Sequence, residues 1–229
     1  MINIISIEKN YASFLAEQQA KGCCFGFCLT WLGDIIKERP LQHSGRWLSG
    51  WFSSVPSADK KALLPAKAAR QRLLFERAMR KQKNYVRRYE ENHLDSFDAL
   101  TYDEVTVNYK NARQQAKEKI TGIPGLHYSL SERSDFMSFK GMESYRDKKT
   151  ISGVVILFRF TKGEGKAAFH AVAAFRHSEF EAFFLDPNFG LFKTVSKYPM
   201  LEITQFLSGK YRNVLPLSEI TISRRLQIA

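Results

Sequence analysis

Several features that would assign this chain to an export or membrane class are missing from its sequence. Its longest apolar runs, at 154–160 and 167–175, fall well short of the roughly 20 residues that a membrane-spanning helix needs. Residues 1–20 lack the basic segment, the continuous apolar stretch and the small-residue cleavage site of a Sec-type signal peptide. We therefore expect no transmembrane segment, and we expect any secretion to use a route that leaves no such signal.

Cysteine is also scarce: the chain has three, all between residues 23 and 28. An odd number crowded into so short a segment makes a poor disulfide framework, which favours a reducing compartment. A structural zinc site needs four ligands in paired spacing, and no two of the five histidines have the short spacing of such a pair. We therefore do not expect a structural zinc site.

Negative charge is in short supply, with 23 Asp and Glu against 35 Lys and Arg and a net charge of +12. The excess is concentrated between Lys60 and His93, where eleven basic residues stand against three Glu. One interpretation is a solvated helical face. The other is a surface for an anionic partner: an acidic protein, the phospholipid headgroups of a membrane or nucleic acid. Of these three, nucleic acid is the partner we expect least.

The first part of the chain is dominated by helical patterns. A short strand or coil and then a helix are predicted before Gly22. The segment 24–38 is apolar nearly all round, as in a buried helix, and Arg39-Pro40 ends it. The remaining predictions are an aromatic loop at 40–60, a long basic helix at 59–92 with an apolar stripe (Leu74, Met79, Val86, Tyr89), a helix at 102–119 and irregular chain at 121–150.

After residue 150 the pattern changes to short apolar runs rich in β-branched and aromatic residues, separated by turn signals. The predicted strands are 151–160, 167–175, 180–187, 191–195 and 218–228, and a helix is predicted at 200–209. Helices followed by antiparallel strands indicate an α+β fold, with the cysteine-bearing helix packed on the sheet. We predict a single domain over residues 1–229, with a basic helical elaboration at about 40–150.

Cys24 follows Gly22 and begins the predicted buried helix. A thiol at a helix N-terminus meets the positive end of the helix dipole, which favours the nucleophilic thiolate. The alternative interpretation is a small, buried, apolar cysteine. Cys23 and Cys28 are expected to be of that second kind.

His170 and Asp186 lie 16 residues apart in the strand-rich part of the chain. Small residues flank His170 on one predicted strand, and Asp186 ends the next, before a Pro-Asn-Phe-Gly turn. A carboxylate at that point can accept the imidazole N–H, which fixes the tautomer and stabilises the imidazolium. The alternatives are a structural histidine with polar partners and an ordinary turn-opening aspartate.

Gln18 and Gln19 stand six and five residues before Cys24. Hydrolysis of an amide by a thiolate needs hydrogen-bond donors for the developing oxyanion. The backbone N–H of Cys24 and a side-chain amide just upstream would supply them. Both glutamines are also typical of an ordinary helix surface, and the choice between them stays open.

Three segments together resemble the YopT/AvrPphB-type cysteine proteases, a family of bacterial effectors with a papain-like core. The segments are GCCFGFCLTWL at 22–32, FHAVAAF at 169–175 and FFLDPNFGLF at 183–192. The family pattern of Gly-x-Cys entering a helix, with Trp seven residues after the Cys, is matched by Gly22, Cys24 and Trp31. Its His-Ala pair is matched by His170 and Ala171, and its Asp-Pro-Asn-x-Gly turn by Asp186, Pro187, Asn188 and Gly190. Phe169 stands where family members often have Gly.

The resemblance implies a papain-like fold in which Cys24 is the nucleophile, His170 the base and Asp186 the orienting residue, with Gln19 or Gln18 in the oxyanion hole and no cofactor. It also implies a thiol endopeptidase, secreted without a Sec-type signal, that cleaves a protein substrate in the host cytoplasm or at a host membrane. Two other classes stay open. The same triad supports deamidation, transglutamination or acyl transfer, and a non-catalytic protein would bind a partner through its basic helices.

Overall fold

The computed structural model of the protein describes residues 1–20, 22–38, 68–90, 127–132, 150–176, 181–194 and 196–225. The predictions of an aromatic loop at 40–60 and of a helix at 102–119 lie outside these residues.

Four α-helices and a seven-stranded sheet make up the described part of the chain. In chain order they are β1 (Ile2–Ser6), α1 (Glu8–Glu17), α2 (Cys24–Glu38), α3 (Ala68–Glu90), β2 (His127–Glu132), β3 (Thr150–Thr161), β4 (Ala167–Arg176), β5 (Ala182–Asp186), β6 (Gly190–Thr194), α4 (Pro199–Lys210) and β7 (Arg212–Arg225). A 3₁₀ turn, Gly163–Gly165, joins β3 to β4.

All strand pairings are antiparallel, in the order β1-β6-β5-β4-β3-β7-β2. The α+β class is therefore confirmed in its coarse form, as a mixture of helices and an antiparallel sheet. The predicted helices at 24–38 and 200–209 are confirmed to within a residue. The prediction of irregular chain at 121–150 is wrong over β2, because this short strand is defined by pairing with the distant β7 and not by its own pattern.

Both faces of the central strands β3, β4 and β5 are buried over most of their length, which explains why these strands are apolar runs that do not alternate with polar residues. Along β4, Ala171, Ala173 and Phe175 belong to a core shared with α1, α2 and α3. Val172 and Ala174 belong to a second core on the other face, shared with α4. The sheet is thus the middle layer of the fold.

Helix α3, which lies in the stretch predicted as a basic helical elaboration, is part of the first core. Leu74 and Met79 are buried, as the predicted stripe requires, while the side chains of Val86 and Tyr89 lie outside the described residues. At Gly26, α2 and α3 approach so closely that a Cβ would overlap the carbonyl oxygen of Ala78. Close packing of this kind fixes where the first turn of α2 lies. The extent of the domain stays a prediction.

The outward face of α3 is basic. Its exposed cations include Arg70, Arg80 and Lys83. Two other arginines of α3 form ion pairs with neighbouring helices. Arg72 pairs with Glu17 of α1, and Arg77 makes a bidentate ion pair with Asp34 of α2. Binding of this face to an anionic partner stays a prediction. Across the described ranges, no helix combines the length and the apolar character needed to cross a membrane.

Candidate active site

The candidate site lies where β4 continues beyond the end of β5. In the described sheet, pairing between the two strands stops at Ala173↔Leu185. The peptide groups of Ala171 instead meet helix α2. The carbonyl oxygen of Ala171 accepts from Cys28 Sγ at 3.3 Å, and the backbone N–H of Ala171 helps to lower the pKa of the Cys24 thiol. The first turns of α2 thus lie beside the part of β4 that does not pair with β5, which brings the Cys24 thiol next to β4.

Asp186 is completely buried and opens the turn after β5. Pro187 and Asn188 form the centre of this turn, which the N–H of Phe189 closes on the Asp186 carbonyl oxygen at 3.1 Å. The backbone N–H of Asn188 donates to Asp186 Oδ1 at 2.9 Å, the local bond that aspartate often makes in turns. Gly190 follows with a φ of 134°, where β1 passes too close for a side chain. The turn therefore also fixes the orientation of the carboxylate.

His170 is buried on β4, and its Nε2 lies 2.8 Å from Oδ1 of Asp186. Strand alternation puts both residues on the face that carries the second core. The ring of Phe158, opposite His170 on β3, packs edge-on against the imidazole at 5.4 Å. Because Nε2 is engaged by the carboxylate, Nδ1 is the ring nitrogen left to interact with the Cys24 thiol, whose charge helps to raise the pKa of His170.

Cys24 is the first residue of α2 and is half-buried. The first N–H groups of a helix have no acceptor within the helix. At α2 the N–H of Cys23 donates to Tyr11 Oη at 3.0 Å, that of Gly26 to Gln82 Oε1 at 2.9 Å, and that of Phe25 to the Cys24 sulfur. The Cys24 N–H has no acceptor among the residues that the structure describes, so it is available to a ligand.

Electrostatics favour a charged pair at the site. Burial opposes ionisation of Cys24, but the charge and hydrogen bond of His170, together with two backbone N–H donors, outweigh it and lower the pKa of the thiol. Burial likewise acts to lower the pKa of His170, while the charges of Asp186 and Cys24 raise it to about 10. These shifts favour thiolate and imidazolium together at neutral pH.

Cys23 and Cys28 behave differently, although all three cysteines lie within residues 23–28. Both are fully buried. Burial, aided by the charge of Cys24, raises the pKa of Cys23 to about 11 and that of Cys28 well above its ordinary value. The expectation that these two are small buried residues is confirmed.

Gln18 and Gln19 are exposed at the C-terminal end of α1. The N–H groups of Gln19 and Ala20 donate to the carbonyls of Ala16 and Leu15 at 3.1 and 3.0 Å, a Schellman end. Gln19 takes the left-handed position with a φ of 49°, where glycine is usual. Within the described ranges neither side-chain amide has a hydrogen bond, so their role in an oxyanion hole stays a prediction.

Sequence patterns do not identify three further side chains at the site, Tyr11, Gln82 and Tyr211. Tyr11 donates to Cys23 Sγ at 3.4 Å as well as accepting the N–H of that residue. Tyr211 Oη lies 2.9 Å from Oδ2 and 3.1 Å from Oδ1 of Asp186. These positions carry no local signal, because their contacts depend on how distant elements pack. In the same part of the structure, no group of three or more His, Cys, Asp or Glu is arranged to hold a metal ion.

Comparisons with known proteins find one distant similarity to a solved structure. No protein-family model and no curated protein match the chain. The chain is similar to the crystal structure of the Pseudomonas avirulence protein AvrPphB, with 14% sequence identity, a TM-score of 0.37 and coverage of 99% of this chain and 98% of that one. A similarity at this level establishes neither a shared activity nor a shared site.

Proposed function

We propose that the protein is a cysteine endopeptidase of papain-like build, with Cys24 as nucleophile, His170 as acid and base, and Asp186 as the residue that orients the imidazole. One observation carries the proposal. His170 is bonded through Nε2 to the buried Asp186 carboxylate, and His170 in turn lowers the pKa of the Cys24 thiol. Thiol catalysis needs a thiolate, a proton donor for the leaving group and a fixed imidazole.

The reaction begins from the thiolate and imidazolium pair. The Cys24 sulfur attacks the carbonyl carbon of a peptide bond, which forms a C–S bond and an oxyanion. The Cys24 N–H is the expected donor to that oxyanion, together with the side-chain amide of Gln19 or Gln18. As the C–N bond breaks, Nδ1 of His170 gives its proton to the leaving amine, and a thioester remains on the enzyme.

Water completes the cycle. Neutral His170 takes a proton from a water molecule while the water oxygen attacks the thioester carbon. The C–S bond then breaks, which releases the carboxylic acid product and restores the thiolate and imidazolium pair. Asp186 stabilises the imidazolium each time it forms. This chemistry needs no metal or organic cofactor.

The substrate class rests on the sequence. The resemblance of the segments around Cys24, His170 and Asp186 to bacterial effectors supports a host-cell protein as the substrate, and a reducing host cytoplasm as the place of action. The exposed positive charge on α3 supports an anionic surface near that substrate, of a membrane or of the substrate itself.

Thiol labelling tests the nucleophile. With limiting iodoacetamide at neutral pH, Cys24 should be alkylated well before Cys23 and Cys28, because only its pKa is lowered. Peptide mass spectrometry reads the three sites separately, and Cys28→Ala is the matched control that retains the fast site. Equal labelling of the three cysteines would contradict the proposed nucleophile.

Product mass tests the reaction type. The wild-type protein and Cys24→Ala are incubated with a complex mixture of denatured proteins, and the products are compared by mass spectrometry. Broken chains that require Cys24 support an endopeptidase. Conversion of glutamine amides to acids without cleavage would instead identify a deamidase, and covalent adducts would identify a transferase.

A further inference from the structure

Tyr211 is buried between α4 and β7, beside the histidine and aspartate of the site. Its backbone N–H ends α4 by donating to the Leu207 carbonyl oxygen at 2.8 Å. Its ring centroid lies 5.4 Å from that of His170, and it packs edge-on against Phe158 and Phe160 at 5.3 and 4.8 Å. Elements that meet only in the folded protein therefore hold the phenol in place.

The Tyr211 hydroxyl completes the hydrogen bonding of the Asp186 carboxylate. Oδ1 accepts from His170 Nε2 at 2.8 Å and from the Asn188 backbone N–H at 2.9 Å. Tyr211 is the donor to Oδ2, at 2.9 Å, and no second donor to that oxygen is found among the described residues. The side-chain amide of Asn188 donates to Tyr211 Oη at 3.0 Å. Because Oη accepts from this amide, its own proton is directed at the carboxylate.

Building on the proposed catalytic role of the site, we infer that Tyr211 is a positioning residue that holds the Asp186 carboxylate toward His170, and that the Asn188 amide sets the direction of the Tyr211 hydroxyl. A carboxylate held at Oδ1 alone can rotate about its Cβ–Cγ bond and weaken the bond to the imidazole. A second donor at Oδ2 opposes that rotation. Among the described residues the Tyr211 hydroxyl bonds to Asp186 and Asn188 and not to Cys24 or His170, so the hydroxyl acts through Asp186.

The hydroxyl keeps its donor role across the working pH range. Burial, followed by the charge of Asp186, raises the pKa of Tyr211 above its ordinary value. The phenol therefore stays protonated wherever the thiolate and imidazolium pair exists. A charged tyrosinate beside a buried carboxylate would be strongly disfavoured.

Tyr211→Phe tests the inference because it keeps the ring and removes only the donor. We expect kcat to fall about tenfold or more and KM to stay within about twofold, since a buried acceptor loses its partner while the substrate cleft is unchanged. We also expect the pH dependence of Cys24 alkylation to shift to higher pH. A loosely held carboxylate stabilises the imidazolium less, and the imidazolium then lowers the pKa of the thiol less.

Two further variants separate positioning from packing. Asn188→Ala keeps the backbone bond to Asp186 and should shift both measurements in the same direction by a smaller amount. Tyr198→Phe is the matched control, since Tyr198 is 65% exposed at the start of α4, and it should behave as wild type. In an Asp186→Asn background, Tyr211→Phe should have little further effect, because the group through which it acts is gone.

Two outcomes of the Tyr211→Phe experiments would overturn the inference. A wild-type kcat and an unshifted alkylation profile in Tyr211→Phe overturn it and leave the proposed nucleophile intact. A full Tyr211→Phe effect that persists with Asp186→Asn overturns it as well, because ring packing is then the cause. If Tyr211→Phe does not fold, Asn188→Ala decides by the same profile. The proposed function fails by a separate result, a wild-type Cys24 that alkylates no faster than Cys28, and the inference then falls with it.

Discussion

The two halves of the candidate site are built in opposite ways. The thiol half is the first turn of α2, half-buried and surrounded by neutral N–H donors, and it is anchored to α1 by Tyr11 and to α3 by Gln82. The base half lies at the ends of β4 and β5. It is buried and has a carboxylate at its centre, bonded to His170 and Tyr211.

The difference reflects what each half does in the proposed reaction. A nucleophile has to reach a substrate, so its thiol stays near solvent, and the charge of His170 together with neutral backbone N–H groups stabilises the thiolate. An orienting carboxylate never touches the substrate, and in dry surroundings its hydrogen bonds are stronger, provided that each oxygen has a donor. Apart from the nucleophile itself, removing a hydrogen bond should therefore reduce activity more in the base half than in the thiol half.

The largest effect is expected at the thiol itself. Cys24→Ala should lower kcat/KM by about 10⁴-fold or more, because the reaction loses its nucleophile. Cys28→Ala, one turn further along α2, should stay within about threefold, because a buried neutral thiol contributes only a weak bond to Ala171. Peptide hydrolysis by purified variants with matched thermal unfolding checks this pair. Equal losses in the two variants would mean that packing of α2, and not the thiolate, limits activity.

The next largest effect is expected at the carboxylate. Asp186→Asn should lower kcat by about 100-fold or more, since an amide can present its N–H to Nε2 and favour the wrong tautomer of His170. The fold should survive, because the Asn side chain can still accept the Asn188 N–H. Single-turnover kinetics and circular dichroism measure the two properties separately. A loss of kcat below about tenfold would mean that a residue other than Asp186 orients the imidazole.

The pH dependence of kcat/KM depends on both halves of the site. The thiolate is needed, so kcat/KM should rise as pH increases through the lowered pKa of Cys24. The imidazolium is needed as well, so kcat/KM should fall as pH increases through the pKa of His170, about 10. A broad plateau across neutral pH is expected. An activity that begins only at the ordinary pKa of a free thiol would contradict the paired state.

The smallest effect is expected at Gln82, which accepts the hydrogen bond of the Gly26 N–H in the thiol half of the site. Gln82→Ala removes the acceptor of the Gly26 N–H, which should lower stability by about 1 kcal/mol, as for other lost helix caps, and lower kcat/KM by only a few-fold. Gln71→Ala is the control, because Gln71 bonds to Asn10 between α1 and α3 and lies away from the first turn of α2. The Gln71→Ala variant should lose stability while its rate of Cys24 alkylation stays unchanged. A larger activity loss for Gln82→Ala than for Asp186→Asn would reverse the contrast between the halves.

Sequence patterns predicted the helices and strands that depend on residues close together in the chain. The helix at 24–38 follows from its all-round apolar character and from Arg39-Pro40, and the paired strands β3 and β4 follow from their apolar runs. The early start of β7 at Arg212 was not predictable in this way. Pro216 lies within that strand, next to an irregularity in its register with β3, and only the pairing shows that the strand continues past it.

The candidate site was predictable in part. A helix start, a small-residue strand and a turn occur together in one chain and point to Cys24, His170 and Asp186; in the structure His170 bonds to Asp186 and lowers the pKa of Cys24. Their catalytic roles stay predictions. Tyr211 had no comparable signal, because its partner is 25 residues away and its hydroxyl reaches that partner only after α4 has folded back on the sheet.

The sequence by itself determined features that depend on a few neighbouring residues. These are the placement of Cys24 at a helix start, the turn that orients the Asp186 carboxylate, and the apolar strands that follow residue 150. Only the tertiary structure decided which of three clustered cysteines has a lowered pKa, since that depends on His170 and Ala171, far away in the chain. Backbone geometry acts over a few residues, whereas charge and burial act between whatever surfaces the fold brings together.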